Sequence, residues 1–267
     1  LIARIVFVVC LVNLAGCQFG PPEHCDIGST LAPIDIPSPS FEKVDLAPGT
    51  NRLRAQKIFD LWRESCPQSK VLDVARTRYN NFSCLIPGLT NSRIVIASHY
   101  DKIGGGRGVA DNWSGVLIVH QLLKYFMANR PEFSLEFVAF AQEEEDMMGS
   151  RDYLDSVDTG QIVAMINVDT IGLGPLIIDT RSSLDLGCLA QETADILGLR
   201  YLRSGYLTAG DWKPFKDQDI PVLNLHSVDR RTIRRIHSRR DRAGNVDMSY
   251  LSEAYRLVLN VLLNYSV

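Results

Sequence analysis

The sequence predicts a three-layer α/β/α sandwich around a mixed, largely parallel central sheet. Two observations carry that class. Short, continuous apolar runs such as RIVIAS (93–98), SLEFVAFA (134–141) and IVAMINVD (162–169) have the character of strands buried on both faces. They alternate with segments of helical period, the pattern of strand–helix–strand units. A third observation concerns where polar residues fall: each of these runs ends abruptly on ionisable side chains.

In chain order, Thr50 reads as the N-cap of a helix through about Glu64, with Leu53, Ile58, Leu61 and Trp62 on one face. VLDVARTRY, from Val71, alternates partially, and NNFSCLI ends at Pro87-Gly88, a turn signal; together they suggest a hairpin. After the strand at 93–98, Ser114 to Ala128 is a helix, and 134–141 and 162–169 are strands. PLIID (175–179) is a strand, about 184–197 a helix and IPVLNLH (220–226) a further strand. An amphipathic helix over about 249–264 completes the chain. There is no internal repeat.

A chain of 267 residues, 46% hydrophobic, supports one sizeable core. Its formal net charge of -3 argues against nucleic acid as a partner. The N-terminus, LIARIVFVVCLVNLAGC, joins Arg4 to an apolar run, Ile5 to Val12, too short to span a bilayer but suited to a signal peptide. Leu14-Ala15-Gly16-Cys17 resembles the bacterial lipoprotein box. That resemblance implies a signal peptide over 1–16, a lipid on Cys17 and a membrane anchor in the bacterial cell envelope. Gln18 is not the aspartate of inner-membrane retention, so in a Gram-negative envelope the expected location is the outer membrane facing the periplasm, with plain secretion as the alternative. Residues 17–48 hold six of the twelve prolines and read as a tether, leaving 49–267 as the catalytic domain. Cys25, Cys66, Cys84 and Cys188 remain for disulfides; spacing does not choose among the three pairings, although Cys66 and Cys84 flank one short segment.

The polar clusters are His99/Asp101 after the strand at 93–98, Glu143/Glu144/Glu145 after 134–141, and Asp169 closing 162–169. Ligands of open α/β sheets bind beyond the carboxyl ends of strands. Carboxylates gathered there repel one another unless a divalent cation joins them, and a mixture of carboxylates with an imidazole suits zinc. Between His99 and Asp111 the chain spends four glycines, which let a loop pass close to such a centre.

HYD, ADNWSG, EEEDMMGS, NVDTIG and HSRRD, in that order over about residues 50 to 267, resemble the co-catalytic zinc peptidases. These include secreted bacterial aminopeptidases and, as a divergent branch, animal-type glutaminyl cyclases. The resemblance implies a zinc exopeptidase-like fold, peptide substrates and two zinc ions per chain. His99 and Asp169 would hold one ion, Glu144 and His237 the other, and Asp111 would bridge them. Asp101 would orient the His99 ring, and Glu143 would be the general base. Counting back from Gly149-Ser150 selects Glu143 and Glu144; Asp146 and Met147 stand where Gly and Leu are usual, which leaves Glu145 a minor candidate. His237, with Asp241 four residues on, fits the last ligand better than His226.

The implied activity is that of an aminopeptidase. A glutaminyl-peptide cyclotransferase on the same scaffold is the rival, and GDWKPF (210–215), with Asp211, resembles that branch. A non-catalytic envelope lipoprotein is the third reading, which a missing ligand or base would support. Seven arginines within 230–242 form either a solvated, salt-bridged loop or a cationic rim facing acidic peptides or anionic lipid.

Overall fold

The computed structural model describes residues 25, 31–32, 34, 36, 38–41 and 47–266. Cys17 and the 1–16 segment lie outside the described residues. An eight-stranded sheet runs in the order β1-β2-β4-β3-β5-β8-β6-β7. Its strands are β1 (Lys70–Asp73), β2 (Asn80–Ile86), β3 (Arg93–His99), β4 (Ser134–Phe140), β5 (Ile162–Val168), β6 (Leu176–Asp179), β7 (Tyr201–Ser204) and β8 (Val222–His226). The four central strands, β4, β3, β5 and β8, are mutually parallel, so their carboxyl ends open on one edge of the sheet. The hairpin β1–β2 adds antiparallel to β4, and β6 adds antiparallel to β8.

Alternation along the strands builds two cores. Ile94 and Ile96 of β3 and Ala164 and Ile166 of β5 face α1 (Asn51–Ser65), α2 (Gly115–Ala128), α4 (Leu184–Ile196) and α6 (Met248–Asn264). Val95 and Ala97, with Val138 and Phe140 of β4, face the smaller layer of α3 (Met148–Ser156) and α5 (Trp212–Lys216), where Tyr153, Trp212 and Phe215 pack. Helices on both faces of a parallel core bury the central strands on both sides, so apolar residues dominate each of them.

Thr50 caps α1, its hydroxyl accepting from the Leu53 amide. The expected apolar face of α1 is shifted, however: Leu53 is exposed, and Arg54 is buried in its place. The short α3, α5 and β7 were not anticipated from periodicity. Two disulfides form, Cys66–Cys84 and Cys25–Cys188. The described residues of the proline-rich stretch pack against the domain: Phe41 is buried against Tyr255, and the Ile34 amide donates to Asn260 Oδ1 at 2.9 Å. At Cys25, Ile34 and Phe41 this stretch is therefore fastened to α4 and α6. Among the described residues no helix is long and apolar enough to cross a membrane.

Candidate functional site

The carboxyl ends of β3, β4 and β5 converge with two loops. His99 is the last residue of β3, and Asp169 follows β5. Asp111 sits in an irregular turn, Val109–Ser114, where it leaves helical geometry before α2 begins. Glu143 and Glu144 follow β4, and His237 lies in the loop after β8. One donor group is His99, Asp111 and Asp169; a second is Asp111, Glu144 and His237, the atoms of each lying within 4.8 Å of one another. Asp111 belongs to both, through its two oxygens: Oδ1 is 3.3 Å from His99 Nε2, and Oδ2 is 2.9 Å from His237 Nε2. His99 Nε2 is also 3.3 Å from Asp169 Oδ1, and His237 Nε2 is 2.9 Å from Glu144 Oε2.

Asp101 lies 3.5 Å from the other face of His99, at Nδ1. Its two oxygens accept the amides of Glu143 (3.1 Å) and Glu144 (3.2 Å), so one carboxylate fixes both the imidazole and the glutamate loop. Glu143 reaches inward, its Oε2 4.0 Å from His99 Nε2. Glu145 is exposed and belongs to neither donor group. Asp146, standing where a glycine is usual, takes the left-handed backbone conformation (φ 60°) that a glycine would adopt without cost. His226 is buried elsewhere, paired with Asp179 at 3.1 Å.

The glycines solve a packing problem between two loops. A side chain at Gly104 would collide with the backbone of His237, its Cβ 2.1 Å from the carbonyl oxygen. One at Gly106 would meet the Ser238 carbonyl at the same distance. Asp241 completes the junction: its oxygens accept the amides of Ala110 (2.7 Å) and Asp111 (3.1 Å). The loop carrying His237 thus holds the backbone that presents Asp111. Asn112 ties the same turn to the Asp169 segment, donating to the Val168 carbonyl and accepting from the Thr170 amide.

Two further residues belong to the site. Arg54 is fully buried, and its guanidinium donates to the carbonyls of Pro48, Tyr100, Arg107 and Gly108 while stacking over Trp113 at 5.6 Å. Burial lowers its pKa to about 10 against the opposing charges of Asp111 and Asp241. Only its spacing in a helix marked it in the sequence, and an arginine there reads as solvent-facing. Asp211, just before α5, is also fully buried, with no hydrogen-bond partner on either oxygen; the nearby Ser150 hydroxyl donates to the Met147 carbonyl. Burial, reinforced by the charges of Asp101 and Asp169, pushes Asp211 up to about 7, although His99 opposes the shift.

The charges around the centre are unbalanced. Burial raises Glu143 well above the ordinary carboxylate range; the His99 charge opposes this, while Asp169 and Asp211 add to it. Burial raises Glu144 as well, against its bond to His237. Hydrogen bonds to Asp111 and Glu144 push His237 up to about 10. Burial alone would lower His99, yet the charges of Asp169 and Glu143 carry it well above its usual value. Buried carboxylates that share protons with imidazoles in this way are donors suited to a divalent cation. Glu144 Oε1, sealed from solvent without a partner, is a free donor atom at that point. The residues present fit such an ion.

Comparison with known proteins follows the same lines. A probable leucine aminopeptidase of Trichophyton verrucosum is 34% identical over 107 residues, 34% of this chain and 29% of that protein. The chain spans about a third or less of the length of the curated relatives it matches. Among solved structures, a zinc aminopeptidase from Bacillus subtilis is similar with a TM-score of 0.63 at 21% identity, over 68% of this chain and 49% of that one. An Acidobacteriales bacterium glutaminyl cyclase is similar with a TM-score of 0.73 at 20% identity, over 88% of this chain and 99% of that one. These likenesses establish the fold. Residues 81–262, which hold every residue of the two donor groups, match Peptidase family M28, and the chain belongs to that family.

Proposed function

We propose that the protein is a metal-dependent exopeptidase of the aminopeptidase type, with two zinc ions held by His99, Asp111, Asp169, Glu144 and His237. The observation that carries this reading is the pair of donor groups sharing Asp111, with Glu143 beside them. When bound, two such cations supply the positive charge that acidifies water and polarises a scissile carbonyl. The chain's own residues do the rest. Asp101 holds His99 from behind and, through two backbone amides, sets where Glu143 points. Glu143, its pKa raised by burial, is suited to take a proton from the attacking water and return it to the leaving amine near neutral pH. The leucine aminopeptidase relatives support a substrate with a free N-terminus.

The second reading, a glutaminyl-peptide cyclotransferase, is favoured by one observation: Asp211, a buried carboxyl pushed up to about 7 among the site's acids, where a proton-holding group would serve ring closure. Product analysis separates the two. Incubated with a glutamine-initiated peptide and a leucine-initiated one, the aminopeptidase releases free amino acids from both. Release of ammonia from the glutamine peptide, with the leucine peptide intact, would replace this reading with the second. A non-catalytic envelope protein would do neither, and the presence of all five donors and the glutamate beside them speaks against it.

Anchoring through a lipid on Cys17 in the bacterial envelope is likewise our proposal, resting on the Leu14–Cys17 box. Cys17→Ser should release the protein from membranes or block its processing; unchanged membrane retention would count against the anchor.

A further inference from the structure

A cavity of about 870 Å³ lies beside the edge of the sheet formed by β6 and β7, walled by Ile177, Leu202 and Tyr206 and rimmed by Arg203, Arg230 and Arg231 with one carboxylate, Asp229. A cavity of this size encloses a ligand equivalent to a few residues of peptide. Its place relative to the centre follows from strand register. Asp169 follows Val168, which pairs with Leu225; the next residue, His226, pairs with Ile177. Two strand spacings therefore separate Asp169 from the cavity wall, about 10 Å, or roughly three residues of extended peptide. The segment after β7 runs from the cavity at Gly205 to Gly210, where a Cβ would stand 3.8 Å from the Asp169 carboxylate.

The cavity's charge is mostly positive: Arg203, Arg230 and Arg231 share it with a single carboxylate, Asp229. The loop 229–242 carries seven arginines and two aspartates. Both aspartates hold backbone: Asp229 accepts the amides of Arg231 and Thr232, and Asp241 those of Ala110 and Asp111, so two carboxylates face seven guanidinium groups. Among the described residues no ion pair involves any of the seven arginines. Arg203 Nε is sealed from solvent without an acceptor. Guanidinium groups on an apolar-walled cavity suit carboxylates, which they bind through paired N–H donors.

From this we infer that the cavity is a distal substrate subsite for acidic side chains, placed three to four residues beyond the scissile bond, and that acidic peptides are the preferred substrates. The inference rests on the aminopeptidase reading. More arginines line this loop than one carboxylate requires, so the subsite addresses acidic side chains rather than a single chain terminus.

The test uses two C-terminally amidated peptides that share Leu-Ala-Ala and continue with Glu-Glu or Gln-Gln, together with leucine nitroanilide, which is too short to reach the cavity. The full zinc-loaded protein should cleave the glutamate peptide with roughly tenfold higher kcat/KM, carried by KM and diminished at high salt. In Arg230→Ala/Arg231→Ala the preference should fall to parity while nitroanilide turnover is unchanged. Equal rates in the parent, or a preference that survives in the variant, would overturn the subsite. If leucine nitroanilide is not cleaved at all, the aminopeptidase reading fails instead. Binding of the two peptides, C-terminally labelled with fluorescein, to parent and variant then decides the cavity alone: tighter binding of the glutamate peptide, lost in the variant, upholds it, and parity overturns it.

Discussion

Arg54→Met is the most discriminating perturbation of the scaffold around the site. The side chain is replaced by one of similar reach that donates nothing. Four carbonyls lose the guanidinium: that of Tyr100 is buried, that of Gly108 is buried but keeps the Trp113 amide at 3.2 Å, and those of Pro48 and Arg107 are partly open to water. One buried carbonyl left unpaired, that of Tyr100, costs about 1–3 kcal/mol. Against this, the variant no longer buries a cation. The fall in the Arg54 pKa from 12.5 to about 10 corresponds to a burial cost of about 3 kcal/mol that the variant is spared. The two effects largely cancel, so global stability should change by no more than about 2 kcal/mol. The local effect does not cancel. Arg54 holds both ends of the glycine loop, at Tyr100 and Gly108, and Asp111 follows three residues later. Zinc affinity should therefore drop by roughly 10–100-fold, the usual cost of losing a residue that supports metal ligands. Urea unfolding in the presence of chelator measures the first quantity, and competition with a chromophoric chelator the second. Arg54→Lys, whose single ammonium cannot span four carbonyls, should fall between. Parental zinc affinity in Arg54→Met would refute the argument, because it would mean the loop holds its shape without the guanidinium.

Glu143→Gln should bind zinc nearly as well as the parent and lose on the order of 10²–10⁴-fold in turnover, whereas Glu144→Gln should weaken metal binding, because only Glu144 shares a donor group with Asp111 and His237. Reversed phenotypes, read by metal analysis and steady-state kinetics, would exchange the two roles. Replacing Cys66 and Cys84 together by Ala opens a loop of 18 residues and should cost about 3 kcal/mol, measured as a lower urea midpoint; an unchanged midpoint would contradict the entropic account.

Much of the site was legible in the sequence because its residues sit where strand patterns stop. His99, Glu143, Glu144 and Asp169 each follow an apolar run within a few positions, and a parallel sheet brings such positions to one edge. Asp111 was marked by the glycines before it, although their tightest contacts are with the backbone of the His237 loop. What periodicity hid has a common cause, since tertiary contacts override local pattern there. Arg54 occupies a place that an apolar face would assign to its neighbour Leu53, because four backbone carbonyls await a donor. The helix α3 is short and begins inside a polar motif, α5 is five residues with Pro214 within it, and β7 is a partly exposed edge strand without a sustained apolar run. Of the two readings of the arginine loop, direct salt bridges are not found among the described residues, and its two aspartates accept backbone amides.

The central claim is that Asp111 joins two cation sites, and metal content tests it most directly. Protein stripped with chelator, reloaded with zinc and desalted should carry two zinc ions per chain by elemental analysis. Asp111→Ala should lose zinc at both sites, since each donor group depends on one of the two oxygens of that carboxylate. Unchanged stoichiometry in a folded Asp111→Ala protein would contradict the shared carboxylate and, with it, the proposed centre.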